Sequence, residues 1–173
     1  MRRPLLTLGL VVAGLVMFRA GLGACGDKSL GVGGIRLQRA LAAQYPASIL
    51  IYSPPASRIG AAARELKLQQ ALRQVGHTYL EATTSAEFES ALASGQFNVI
   101  MADLAEITTV QERVKASTSS ATVVAIAYKL TKAQVKAAAK TERFLINVPS
   151  RMAQYLDTIT EAVRSAPPAP RKV

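Results

Sequence analysis

The chain has one cysteine, one histidine and no tryptophan, and aromatic residues make up only 5% of it. A single cysteine excludes an intramolecular disulfide framework. Joined by only one histidine, it cannot supply the four thiolate or imidazole ligands of a structural zinc site. Acidic residues are scarce too: 11 Asp and Glu stand against 21 Lys and Arg, a formal charge of +10 over 173 residues. Such an excess suits an anionic partner, nucleic acid or a membrane surface, provided the charge is gathered where a partner can meet it. Half of the chain is apolar, which excludes a disordered protein even though 30 alanines contribute much of that half. The length suits one domain with an accessory segment.

The apolar residues are unevenly distributed. Met1-Arg2-Arg3 is followed by an uncharged run from Pro4 to Phe18, which Arg19 closes. These 15 residues fall short of the roughly 20 that a helix needs to cross a bilayer. A basic start, a short apolar run and the small residues Ala20-Gly21-Leu22-Gly23-Ala24 instead predict a signal peptide over residues 1–24. The only cysteine, Cys25, comes next. Its setting resembles the lipobox of bacterial lipoproteins, and the resemblance implies lipidation of Cys25 as the mature N-terminus. Ordinary cleavage nearby, leaving an odd thiol, is the alternative. Both readings export the chain to the periplasm or cell envelope.

Residues 25–48 read as a linker made flexible by Gly31, Gly33 and Gly34, with one short helix over Ile35 to Gln44 carrying Arg36 and Arg39. The glycine cluster follows no strand, which is the wrong context for a phosphate-binding loop. Residues 166–173 form a Pro-rich tail. Between them, residues 49–165 alternate. Strands are predicted at Ala47–Tyr52, Thr78–Thr83, Phe97–Ala102, Thr122–Tyr128 and Arg143–Val148. The first, third and fourth are near-continuous runs of β-formers, as in strands buried on both faces, whereas the second alternates as an edge does.

The intervening segments read as helices. The first runs from Ile59 to Val75, with Gly76 as a left-handed cap. Thr84-Ser85-Ala86-Glu87 and Thr131-Lys132-Ala133-Gln134 have capping-box spacing, and Ser150 is placed to cap the last helix. The weakest pattern lies in Ala105 to Ala116. Five βα units predict an α/β fold: an open, doubly wound, five-stranded parallel sheet with helices on both faces, in three layers. Any site then lies at the C-terminal strand ends, near Ser53, Pro54, Thr83, Thr84, Asp103, Tyr128, Asn147 and Pro149.

From about Ala47 to Ser165 the chain resembles the receiver domain of bacterial response regulators, on length, element order and Asp103. The resemblance implies a flavodoxin-like sheet with strand order 2-1-3-4-5. It also places Asp103, just after the third strand, at the phosphoacceptor aspartate. The other matching positions depart from the family. Tyr52-Ser53-Pro54 has no carboxylate for Mg²⁺, Ala127 stands where receivers have Ser or Thr, and Val148 stands where they have Lys before the proline. Phosphoryl transfer depends on positioning and on neutralising the transferred oxygens, and one aspartate supplies little of either. Asp103 also has the alternative role of capping Asp103-Leu104-Ala105-Glu106. His77, expected at a helix end where it could meet the last carbonyls, lies at the opposite edge of the sheet from Ser53 and Asp103, so no Ser/His/Asp triad forms.

Residues 1–24 carry three arginines and no acid, and residues 49–165 carry 13 basic against 10 acidic residues. The local excess is Lys129, Lys132, Lys136, Lys140 and Arg143, with the lysines at 132, 136 and 140 spaced as one stripe on the helix of the fourth unit. The stripe is either a solvated face or a contact for anionic lipid or an acidic protein. The receiver resemblance places a partner-binding face there. No aromatics interleave with it, which disfavours nucleic acid.

The expectation is therefore an exported, envelope-anchored, non-catalytic pseudo-receiver that needs no cofactor or metal and serves as an interaction module. The alternatives are a small-ligand binder using Ser53, Thr84, Asp103 and Tyr128, or an unusual phosphoacceptor through Asp103. Oligomeric state is left open.

Overall fold

The computed structural model describes Ala40 and residues 44–166. The expected export segment, Cys25, the glycine cluster with Arg36 and Arg39, and the tail from Pro167 lie outside the described residues. Ala40 and Gln44 are helical, where the short linker helix was predicted.

Five strands form one parallel sheet: β1 (Ser48–Tyr52), β2 (Thr78–Ala82), β3 (Val99–Asp103), β4 (Thr122–Tyr128) and β5 (Leu145–Val148). Their order is β2-β1-β3-β4-β5, so the doubly wound α/β topology expected from the βα alternation is the one observed. The runs of β-formers at β1, β3 and β4 lie between helical layers, and β2, which alternates in sequence, is an edge with Thr78 and Leu80 exposed, Tyr79 and Glu81 part-buried and Ala82 buried.

Helices α1 (Ile59–Glu65), α2 (Leu68–Gln74) and α6 (Met152–Ser165) cover one face, packing Ile59, Leu68, Leu72, Tyr155 and Ile159 on Ile49, Ile51, Met101 and Ile126. Helices α3 (Ser85–Ser94) and α4 (Ile107–Ala116) cover the other. There Phe88, Leu92, Val110 and Val114 meet Leu50, Ile100 and Ala125. Helix α5 (Lys132–Ala138) buries no residue. Among the described residues no helix is long and apolar enough to cross a membrane.

The local signals for helix ends are partly realised. Thr84 and Thr131 both close full capping boxes, with Glu87 and Gln134 respectively. Gly95 ends α3 with φ 63°, and Gly76 follows α2 with φ 89°, both left-handed positions that glycine tolerates best.

Two expectations are corrected. The single helix expected from Ile59 to Val75 is broken at Leu66-Lys67, where Lys67 takes φ 50°. The reason is phase. Leu68 comes five residues after the buried Ala63, and in one continuous helix it would point roughly 140° away from that stripe. The break turns Leu68 and Leu72 back onto the sheet, where both are buried. Ser150 does not cap α6. Its hydroxyl donates to the Gln154 side chain, and the N-cap position falls to Arg151 with no side-chain cap.

His77 is corrected as well. Its backbone N–H does donate to Leu72 O (3.0 Å) at the end of α2, but the ring is only 2% exposed and does not serve the helix carbonyls. Nδ1 accepts from the Ala47 N–H at 3.1 Å, tying the entrance of β1 to that of β2. Nε2 is buried without a partner among the described residues. Burial pushes the His77 pKa below its ordinary value, so the ring is held neutral.

Candidate functional site

The C-terminal strand ends bring four loops together. Ser53, just past β1, donates its hydroxyl to Glu81 Oε1 on β2 at 2.5 Å, and Tyr79 Oη lies 3.4 Å from Glu81 Oε2. Burial, then the Glu81 carboxylate, pushes the Tyr79 phenol up to about 12, with Arg64 opposing. Ser53 is therefore a hydroxyl committed to a neighbouring strand.

Asp103 ends β3 with both carboxylate oxygens engaged. Oδ1 accepts from the Ala105 N–H (3.1 Å) as the cap of a short 3-10 turn, Leu104–Glu106, that leads into α4. Oδ2 accepts from Ser57 Oγ (3.1 Å), and that hydroxyl in turn accepts from the Ile59 N–H (3.2 Å) at the start of α1. The Tyr128 hydroxyl, at the end of β4, donates to the Arg58 carbonyl oxygen. Burial raises the Tyr128 pKa, and the carboxylates of Asp103 and Glu65 add to the rise. The β1–α1 loop, with its Pro54-Pro55 pair, is thus tied to β3 through Ser57 and to β4 through Arg58.

Thr84 is occupied elsewhere. Its hydroxyl accepts from the Glu87 N–H (3.2 Å), while the Glu87 carboxylate accepts from the Thr83 N–H (2.7 Å) and hydroxyl (3.0 Å) and from the Thr84 N–H. These bonds, those from Thr83 foremost, hold the Glu87 carboxyl below its usual pKa. Asn147 braces the opposite side, accepting from the Leu130 N–H and donating to the Leu130 carbonyl, both at 3.0 Å.

The four candidate ligand-binding residues are therefore each engaged in hydrogen bonds with other groups and not with one another. Ser53 serves β2, Asp103 and Tyr128 serve the β1–α1 loop, and Thr84 serves α3. Sequence reasoning missed Ser57, Arg58, Tyr79 and Glu81. Ser57 carried a weak local signal, a hydroxyl two residues before a helix start, and Glu81 carried one as a carboxylate inside a strand.

Ala127 is buried on β4, and Val148 precedes Pro149 across a cis peptide bond. Among the described residues, no three His, Cys, Asp or Glu side chains come together as a metal site would require.

The basic residues do gather. Lys132 and Lys136 lie one turn apart on α5, and Lys129 precedes the helix with φ 47°. Lys140 stands in the turn beyond Ala138, so the expected three-lysine stripe on one helix is two residues on the helix and one past its end. All four lysines and Arg143 are exposed, and the Arg143 guanidinium lies over the Phe144 ring at 5.1 Å. Among the described residues none of the five takes part in an ion pair, whereas Arg113 pairs with Glu89 at 3.3 Å.

No family model and no curated protein matches the chain. Among solved structures, a pilus assembly-related protein from Burkholderia pseudomallei is similar, with a TM-score of 0.50 at 17% identity over 72% of this chain and 94% of that one. A response regulator receiver protein from Burkholderia phymatum aligns with a TM-score of 0.48 at 21% identity, over 70% of this chain and 98% of that one. At 17% identity the likeness to the first concerns the fold alone, the flavodoxin-like α/β fold already evident in the strand order.

Proposed function

We propose that this chain is a non-catalytic receiver-like module, exported and held in the cell envelope through Cys25, that binds an acidic protein surface with its lysine face. The observation that carries the non-catalytic reading is the state of Asp103. Both of its oxygens are bound within the chain, to Ala105 and Ser57, and neither a second carboxylate nor a lysine stands at the matching receiver positions. A phosphoacceptor needs a free oxygen for attack and cations to neutralise the charge that develops. The same aspartate is well suited to bracing a loop.

Incubation with Mg²⁺ and acetyl phosphate is expected to leave no covalent phosphate on the protein by intact mass. Asp103→Asn, which keeps an acceptor for Ala105, is expected to lose little stability. Asp103→Ala loses both the cap and the Ser57 bond and is expected to lose about 1–2 kcal/mol in urea titration. Stoichiometric phosphate that disappears in Asp103→Asn would sink the non-catalytic reading.

The placement of the partner on the lysine face rests on five exposed cations that form no ion pair among the described residues, beside a helix with no fully buried residue. Export and anchoring rest on residues 1–25. One experiment in cells addresses both. A photo-crosslinker at Ala133 is expected to capture a protein, with envelope-assembly components such as pilus proteins examined first, and to lose it in Lys132→Glu/Lys136→Glu. Palmitate-analogue labelling run in parallel is expected to vanish in Cys25→Ser. Capture of lipid alone overturns the protein-partner reading, and label that survives Cys25→Ser overturns the anchor.

A further inference from the structure

Among the described residues, no strand pairs with the outer edge of the sheet at β2. Edge strands are usually blunted by lysine, proline or a bulge, because their free peptide groups otherwise pair with another chain. The strand Thr78-Tyr79-Leu80-Glu81-Ala82 has no lysine, proline or bulge, its one charged side chain, Glu81, is part-buried and bonded to Ser53, and its central Leu80 is 47% exposed, one of two large apolar side chains exposed among the described residues. The opposite edge differs: β5 has four residues, with Arg143 two residues before it and Pro149 directly after it.

The hydrogen-bond phase of β2 defines what is free. Thr78 N–H donates to Ala47 O, and Ala82 O accepts from Ser53 N–H, so Thr78, Leu80 and Ala82 face β1. Alternation then directs the peptide groups of Tyr79 and Glu81 outward. Beside the strand runs an open groove of about 800 Å³, bordered by Leu80 and Phe97 and by Ala86, Ser90 and Ser94 of α3.

We propose that β2 pairs antiparallel with β2 of a second copy, about a two-fold axis through Leu80, joining two sheets into one of ten strands. This rests on the strand's complementarity to itself and is independent of the non-catalytic reading. About that axis Tyr79 of each copy lies opposite Glu81 of the other, and both residues present outward peptide groups. Four backbone hydrogen bonds form, and the Tyr79 hydroxyls face carboxylates. Leu80 meets Leu80 as the non-hydrogen-bonded pair, the position where facing side chains come closest.

Neighbouring registers fail. An axis through Glu81 opposes two carboxylates and pairs Tyr79 with Thr83, whose N–H is taken by Glu87. An axis through Tyr79 pairs Glu81 with His77, whose N–H is taken by Leu72. An unrelated extended peptide could meet the same peptide groups but would lack the Tyr79–Glu81 and Leu80–Leu80 side-chain matches. The groove beside Leu80, lined by small residues of α3, leaves room for the second copy's leucine.

Sedimentation of the full chain is expected to show a concentration-dependent dimer. Leu80→Lys is expected to weaken it roughly thirtyfold or more, because it removes the apolar pair and opposes two charges. The folded state is expected to survive, since Leu80 is half exposed; circular dichroism of the same sample checks this. Leu80→Glu alone is expected to be equally monomeric, and mixing Leu80→Lys with Leu80→Glu to restore a dimer. A wild-type chain that stays monomeric up to about 100 μM overturns the proposal, well above the affinity expected of specific pairing. So does a dimer unmoved by either substitution, or failure of the mixture to associate.

Discussion

Phe88→Ala is expected to lower the unfolding free energy by about 3–5 kcal/mol. The side chain is 0% exposed on the inner face of α3, and its ring lies 4.6 Å from that of Tyr52, tilted by 38°. Removing it gives up the transfer energy of a large aromatic group, adds a cavity, and ends a ring contact worth about 0.5–1.5 kcal/mol. The space would be hard to refill, because Leu50, Leu92 and Ile100 around it are already packed between the sheet and two helices. A domain of this size has about 5–15 kcal/mol in all, so the loss is a large share of its stability. Urea denaturation followed by circular dichroism measures it. A loss below about 1 kcal/mol would mean that α3 does not pack on the sheet through Phe88.

Stability is also expected to fall as pH drops from 7 toward 5, because of His77. In the folded chain burial disfavours the imidazolium, so the folded pKa lies below the unfolded value of about 6.5. Between those two values the unfolded chain holds more protons, and acidification favours it. The contribution is complete above the unfolded pKa and declines below it, by at most about 1.4 kcal/mol per pH unit, until the folded pKa is reached. The chain has no other histidine, so no second imidazole confounds this window. Glu87, whose pKa is lowered, acts in a different one: its stabilisation persists above the ordinary carboxylate pKa and is lost only at more acid pH. Thermal melts at pH 7.5, 6.5, 5.5 and 5.0 (roughly spanning the imidazole range) test this against His77→Asn, whose side-chain oxygen can still accept from Ala47. The substitution is expected to flatten the profile; an equally steep one would assign the effect elsewhere.

The two residues differ in how legible they were. Phe88 sits one turn inside a capping box, at an apolar position of an amphipathic segment, and its inward placement follows from that spacing. His77 sits after a glycine at a helix end, where local reasoning favours an exposed ring near the last carbonyls. Its actual role depends on Ala47, thirty residues earlier, arriving beside it as β1 pairs with β2. The helix break at Lys67 is an intermediate case. The apolar positions on either side of it are out of phase in the sequence, but only the requirement that both stripes face one sheet makes a break the solution.

What the sequence determined by itself is whatever depends on neighbours within a few residues. The βα alternation and its parallel class, the capping boxes at Thr84 and Thr131 and the edge character of β2 all follow from local pattern and residue type. The tertiary structure alone decided which groups the polar side chains at the strand ends would choose. Ser57 reaches Asp103 across 46 positions, Ser53 reaches Glu81 across 28, and Tyr128 reaches the Arg58 carbonyl across 70. Each of those groups had many hydrogen-bonding partners of equal chemical merit. Only the packing of the sheet, which brings distant loops within about 3 Å of one another, selects among them.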